Sequence, residues 1–403
     1  TAGSQTPPSQ EVAKGGARAR DVGGNLMAVL ALQSGTKRFF RNVNWLPAVA
    51  AMLISLIGIV CIRSAGLHTP DASGEYEKQI VYLVLGVAAM TGAAFLDYRN
   101  WQRWAPALYV VNLLLLLFIL RGGHSAMGAQ RWISLGPLGT FQPSEPAKLV
   151  VAISLATVLC RETYEEIKDL WKPLLLVAIP ALLVLKQPDL GTSLVLVAIL
   201  TVELFFGLPK LSDFGIYALG VLVVAAAALG TNAVLKPFQR ARLFVFLNPR
   251  ADPQGSGYNL NQSKIAVGNG EWFGRGLYRG TQTQLNFVPE HSRDFIFTVL
   301  AEEWGFAGVL TLLGLYAALL YGGIRTMLAA RDRFGFLLAA GLVGMLFFHV
   351  LVNLGMTIGI MPITGIPLPF MSYGGSAMLT DFIAVGILLN IYSQKDRGML
   401  GNA

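Results

Sequence analysis

Ten runs of apolar residues follow one another through this 403-residue chain: Trp45–Ile62, Ile80–Leu96, Trp104–Leu120, Ala147–Cys160, Pro173–Leu185, Leu190–Gly207, Phe214–Gly230, Phe295–Tyr321, Phe334–Ile360 and Ser376–Tyr392. A hydrocarbon core about 30 Å thick takes about 20 residues of helix to cross. A spanning segment must also satisfy its own backbone hydrogen bonds, which selects helix. The fourth and fifth runs are short for a crossing, so their helices are expected to extend into the flanking polar motifs. The expected fold is all-α, a polytopic membrane bundle of about ten transmembrane helices with a long extracytoplasmic loop before the eighth. Composition agrees: 54% of residues are hydrophobic, 13% are charged and the mean hydropathy is +0.55, beyond what a water-soluble core requires.

The net charge of +8 reflects orientation and contact with anionic lipid in such a chain, and nucleic acid is not an expected partner. With the amino terminus inside, the inner connections collect Lys37, Arg38, Arg41, Arg99, Arg103, Arg161, Lys168, Lys172, Lys210, Arg325, Arg331, Arg333, Lys395 and Arg397, against Arg63, Lys78, Arg121, Arg131 and Lys186 in the short outer ones. Both termini are therefore expected in the cytoplasm. Residues 1–43, rich in Gly, Ser, Pro, Ala and Gln, read as a disordered cytoplasmic tail, 44–393 as the membrane domain and 394–403 as a cytoplasmic C-terminal tail. The connection 231–293 is far longer than an ordinary helix connection and falls outside.

Three helices that descend from the outer face open with an acid: Glu145 after Ser144, Asp189 after Pro188, and Asp294 after Arg293. Converging helix N-termini also attract phosphate. Basic side chains expected at the same level are Arg131, Lys148, Lys186, Arg240, Arg242, Lys264 and Arg293. Each acid taken alone reads equally as a helix cap, and Glu145 with Lys148 as an intrahelical pair. Lys148 stands in a first turn, where the helix dipole disfavours a cation, so a second partner is expected, either a bound anion or another acid.

Glu203, Glu302, Glu303, His349, Asn112, Asn353, Asn390 and Asp381 fall within apolar runs. They serve either as hydrogen bonds between helices or as a polar substrate path. Glu302 is expected about 12 Å beyond Asp294 along one helix. Zinc-type His/Cys spacing, a Walker loop and a GxSxG elbow are absent, which argues against direct use of ATP.

In order along the chain stand GAQRWI, FQPSEPAKL, QPDLGTS, NPRADPQGSGYNLNQSKIAVGNG, FVPE with DFIF, and PLPFMSYGGSA. Together they resemble the SEDS family of membrane proteins of shape, elongation, division and sporulation, over about Trp45 to Tyr392. The stretch GTQTQLNFVPE is more similar to the RodA branch than to the FtsW branch. The resemblance implies a peptidoglycan glycosyltransferase that polymerises lipid II at the outer membrane surface during elongation and shape maintenance. It implies a class B penicillin-binding protein as transpeptidase partner, together with other elongation-complex membrane proteins. It places the essential aspartate at Asp294, with Glu145 and Lys148 as further catalytic candidates and Asp189 as the QPDLGT acid. Substrate-binding candidates are Arg131, Asp189, Lys186, Lys264, Arg240, Arg242 and the closing-motif residues Tyr373, Gly374, Gly375 and Ser376.

Where the family commonly has a His two positions before the key acid and a Thr immediately before it, this chain has Ser292 and Arg293, with His291 displaced by one. A neighbouring Arg would leave Asp294 more fully ionised and a weaker base. The reaction needs a base for the attacking hydroxyl and positive charge for the leaving pyrophosphate. The charge is expected from Lys148, Arg131, Lys264, helix N-termini or a divalent cation, Mg or Mn, held at Asp294, with no organic cofactor. Trp272, Tyr278 and Phe287 of the long loop either stack on sugars or pack the loop onto the bundle. The competing reading is a lipid II flippase, using Glu302, Glu303 or Asp381 near the bilayer midplane.

Overall fold

The computed structural model describes residues 41–67, 74–122, 124–126, 129–134, 136, 139–162, 164, 166–230, 245–246 and 255–395. The chain divides into two units, Thr1–Val43 and Asn44–Ala403. The expected tails before 41 and beyond 395 lie outside the described residues, as do Arg240, Arg242 and much of the first half of the long loop.

Among the described residues, ten helices of 16 to 33 residues correspond one for one to the ten apolar runs. In chain order they are α1 (Leu46–Gly66), α2 (Glu75–Phe95), α3 (Tyr98–Gly122), α4 (Ser144–Arg161), α5 (Trp171–Lys186), α6 (Leu190–Gly207) and α7 (Leu211–Gly230). After the short helices α8 (Ser256–Asn269) and α9 (Thr281–Gln284) come α10 (Ile296–Leu328), α11 (Arg333–Ile358) and α12 (Gly375–Ser393). Seven of them are long and apolar enough to cross a membrane: α1, α2, α3, α6, α10, α11 and α12. As expected, α4 and α5 extend beyond their apolar runs, α4 taking in the Ser144–Glu145–Pro146 motif. The polar run before α4 holds a small antiparallel sheet that hydropathy did not suggest: β1 (His124–Ala126), β2 (Ala129–Ser134) and β3 (Thr140–Phe141), in that order.

Small residues and buried amides hold the bundle together, as packing without a hydrophobic driving force between helices requires. α12 lies along α2, α10 along α1, and α11 along α6 and α4. Gly86 of α2 receives the Phe382 ring of α12, and Gly386 of α12 abuts the Met90 carbonyl of α2. At the far end of α12, Asn390 accepts from Tyr98 N at 2.9 Å and donates to Ala94 O at 2.7 Å, fastening the turn between α2 and α3. α11 starts on an Asp332 cap that accepts from Gly335 N at 2.8 Å and stops at Gly359, in the left-handed region with φ 79°. α11 and α12 are the most enclosed of the spanning helices, so side chains projecting from them reach the interior of the bundle.

The eighth apolar run is not one unbroken helix, although Asp294 and Glu302 both stand on the near side of its break. α10 is interrupted at Gly305, whose φ of 63° and ψ of −161° are non-helical. The segment 271–276 occupies the gap: Arg275 N donates to Glu302 O at 2.9 Å and Gly276 N to Glu303 O at 3.1 Å, while Phe306 N and Ala307 N donate to Glu271 O and Trp272 O at 2.9 and 3.1 Å. A broken membrane helix is tolerated when other groups satisfy its freed backbone, and here the long loop does so. From Phe306 to Leu328 the remaining helix is still about 34 Å long, enough to cross by itself. Glu302 therefore belongs to the short segment before the break.

Gly305→Ala tests this wedge. A Cβ there would run into Gly274 N and Gly270 O, in a backbone conformation that L residues rarely adopt. The expected result is a loss of at least about 2 kcal/mol, measured as a lower melting temperature in detergent, with earlier proteolysis within 271–276. Parental stability and protease resistance would mean that the break is not held by the loop.

Candidate functional site

At the end of the bundle where α4, α6 and α10 begin, four segments meet: the first turn of α4, the start of α6, the turn 288–295 ahead of α10, and the Pro/Gly-rich connection 359–374 between α11 and α12. Asp189 is the N-cap of α6, accepting from Thr192 N at 3.1 Å and Thr192 Oγ1 at 2.9 Å. Its other contacts are Gln142 Nε2 at 3.1 Å and Ser144 Oγ at 3.4 Å, which tie the α6 start to the α4 start. Arg131 donates from Nε to Gln187 O at 3.0 Å, reaches Pro188 O, and stands 4.0 Å from Asp189 Oδ1. Both residues thus have well-defined structural bonds, the cap reading of Asp189 included. Gly191 sits against Thr364 O and the Ile366 side chain, which brings the 359–374 connection onto α6.

That connection also anchors the turn carrying Asp294. Ser372 Oγ donates to Arg293 O at 2.7 Å, and Tyr373 N donates to Ser292 O at 3.0 Å. Gln79 of α2 clamps the connection, donating to Ser372 O at 3.0 Å and accepting from Gly374 N at 3.3 Å. Ser376 Oγ accepts from Gln142 N at 3.0 Å. Gly374 caps α12, and Gly375 permits the Tyr82 ring to approach. Burial pushes the Tyr373 hydroxyl pKa up, reinforced by Tyr82 and Glu75, so Tyr373 remains a neutral hydrogen-bonding group rather than a base.

The decisive bonds come from α11. Asn353 Nδ2 donates to Asp294 O and to Ile366 O, both at 2.8 Å. One turn earlier on the same face, His349 Nε2 lies 3.0 Å from Lys148 Nζ, and Lys148 Nζ pairs with Glu145 Oε2 at 2.8 Å. Asp294 and the Glu145–Lys148 pair therefore attach to successive turns of one helix, about 6 Å apart in rise. Lys148 and Glu145 are 1% and 4% exposed, so the pair is sealed inside the bundle, whereas Asp294 is only half-buried. A histidine is thus a further partner of Lys148, beside Glu145. Asp381 of α12, also buried, interacts electrostatically with both Lys148 and Glu145.

The Arg293 guanidinium lies 3.7 Å from Glu75 Oε1, 3.6 Å from Glu290 Oε2 and over the Tyr373 ring. The ring nitrogens of His291 face Val288 O and Ala65 O at 2.8 and 3.0 Å, a structural arrangement. Lys264 is exposed on α8 beside Gly359, and Ser263 Oγ fastens α8 to Thr357 O at 2.7 Å. It sits at the C-terminal end of α11, nearly two turns beyond Asn353, where a helix dipole favours a cation. Lys186 is exposed in the last turn of α5. Trp272 packs edge-on against Phe306, which is the loop-packing alternative for that aromatic.

Among the described residues no three His, Cys, Asp or Glu side chains come together as a metal site. A cation at Asp294 would therefore fit only as magnesium commonly does, through one carboxylate with the remaining ligands from phosphate and water. Sequence reading did not assign His349, Asn353, Gln142 or Glu75 to the site. The signal for the first two was the i, i+4 spacing of two polar residues in an otherwise apolar helix.

A sequence model of the FtsW/RodA/SpoVE family, described as cell cycle proteins, matches residues 44–397. The chain belongs to this family. Among its relatives is the peptidoglycan glycosyltransferase MrdB of Escherichia coli K12, 38% identical over 89% of this chain and 96% of that protein. A solved chain from a study titled "Structural coordination of polymerization and crosslinking by a peptidoglycan synthase complex" matches with a TM-score of 0.75 and 35% identity, covering 88% of this chain and 99% of the other. The rod shape determining protein RodA of Thermus thermophilus matches with a TM-score of 0.65 and 30% identity, covering 88% and 98%. The RodA-like character read from the FtsW/RodA/SpoVE motifs agrees with these neighbours.

Proposed function

We propose that the chain is a peptidoglycan glycosyltransferase that polymerises lipid II at the outer face of the bacterial cytoplasmic membrane during cell elongation, with both termini in the cytoplasm. The observation that carries this reading is the attachment of Asp294 and of the Glu145–Lys148 pair to adjacent turns of α11. In the reaction a sugar hydroxyl attacks an anomeric carbon, the bond from that carbon to the lipid pyrophosphate oxygen breaks, and the pyrophosphate departs with the bond electrons. Asp294 is positioned to take the hydroxyl proton. Lys264, exposed at the rim, is better placed than the engaged Arg131 to meet the departing phosphates, and Lys148 adds positive charge from below. A divalent cation at Asp294 would supply further charge to the same phosphates. A transpeptidase of the penicillin-binding class B type is the proposed partner, in keeping with the synthase complex named for the structural relative.

The flippase alternative is not favoured, because Glu302, one of its three acids, is fully engaged in holding the loop helix α9. The test is an in vitro assay with purified protein and lipid II, with and without a class B partner and with EDTA or added Mg or Mn. Glycan strands are expected, with a higher rate when the cation is present. Absence of strands under every condition, in protein shown to be folded, would remove the polymerase reading. Equal rates in EDTA and in cation would remove the cation alone.

A further inference from the structure

We propose that His349 is a positioning residue for Lys148 in the polymerase reaction, an inference that rests on the reading above. Met345 O lies 2.7 Å from His349 Nδ1. A carbonyl only accepts, so Nδ1 carries the ring hydrogen and Nε2 presents its lone pair. That lone pair faces Lys148 Nζ at 3.0 Å. The Lys148 ammonium has three hydrogens: His349 takes one, while Glu145 Oε2 stands 2.8 Å from Nζ as its ion-pair partner. The directional hydrogen bond thus comes from α11, and the ion pair from α4.

The arrangement has the properties of a positioning device rather than of helix packing. His349, Lys148 and Glu145 are all buried, so the ammonium is shielded from bulk solvent. A lysine carries four rotatable bonds, and a single carboxylate three residues away on its own helix leaves it several orientations. His349 removes that freedom from across the interface between α4 and α11. Being neutral as it accepts, the imidazole orients Lys148 without cancelling its charge, whereas a second carboxylate in the same place would neutralise the field that a leaving pyrophosphate requires. The same helix that carries His349 also holds the Asp294 carbonyl, through Asn353 one turn on.

The experiment measures lipid II polymerisation by the purified full chain with its transpeptidase partner, for the parent and for His349→Leu, His349→Asn and His349→Gln. A glutamine amide oxygen reaches about as far as Nε2, whereas that of asparagine stops near Nδ1. The expected result is a kcat lower by about 10- to 100-fold in His349→Leu and His349→Asn, with KM within about 3-fold, and His349→Gln within about 3-fold of the parent. Comparable melting temperatures among the three variants separate positioning from stability. Parental kcat in His349→Leu overturns the proposal, and so does a folded His349→Gln as slow as His349→Asn. If His349→Leu does not fold, the Gln and Asn pair decides by the same criterion. A parent that makes no strands sinks the polymerase reading, whereas an active parent with indifferent His349 variants sinks only this inference.

Discussion

Asp294→Ala is expected to abolish strand formation from lipid II, lowering the rate by at least about 10³-fold, the upper range of what one positioned base contributes. The side chain is half-buried at the mouth of the site, while the backbone is held independently: Asn353 grips the Asp294 carbonyl, Ser372 the Arg293 carbonyl and Tyr373 N the Ser292 carbonyl. Removing the carboxylate therefore leaves the turn in place, and the melting temperature is expected to stay within a few degrees of the parent. Asp294→Asn preserves size and removes basicity, so it is expected to be as inactive as the alanine variant. Gel analysis of labelled product, beside a melting curve in detergent, checks both. Strands made by Asp294→Ala at near the parental rate would end the assignment of the base to this residue.

Glu302→Ala is expected to produce the largest loss of stability. The Glu302 carboxylate accepts from Gln282 N at 2.8 Å, Thr283 N at 3.1 Å, Thr281 Oγ1 at 3.1 Å and Thr283 Oγ1 at 3.0 Å, and the residue is fully buried. It acts as a charged cap on α9, compensating the unpaired amides of that helix start. Its removal leaves several donors without partners, at a cost of about 3 kcal/mol or more. The loop would loosen between Gly270 and Glu290, a segment that joins α8 to the turn of Asp294. A melting curve and limited proteolysis of that segment provide the readout, with Glu302→Gln expected to be intermediate because it keeps one carbonyl acceptor. Parental melting in Glu302→Ala would show that these four bonds contribute no net stability.

Several parts of this architecture were legible in the residues because they depend on near neighbours. Apolar run length located the ten helices, and short runs beside Ser144–Glu145–Pro146 and Lys172 signalled helices continuing into polar sequence. Asp189 read correctly as a possible cap because a cap is bonded within its own first turn. The pairing of Glu145 with Lys148 was visible from their spacing of three. The break in α10 left no trace in the sequence because hydropathy carries across Gly305 without a mark: a helix break filled by another segment leaves no gap in apolar character. The contacts of the Arg293 guanidinium with Glu75 and Glu290, the first of them on α2, were not legible from adjacency.

The sequence by itself determined that the chain builds a membrane helical bundle, and which acids and bases stand at helix starts, since hydrophobic length and helix capping are properties of contiguous residues. Only the tertiary structure decided that α11 links Asp294 to Lys148 and that a histidine is the second partner of the lysine. It also decided that loop backbone fills the gap in α10. Those bonds join residues 27 to 201 positions apart, and their geometry follows from how helices pack, which local pattern does not encode.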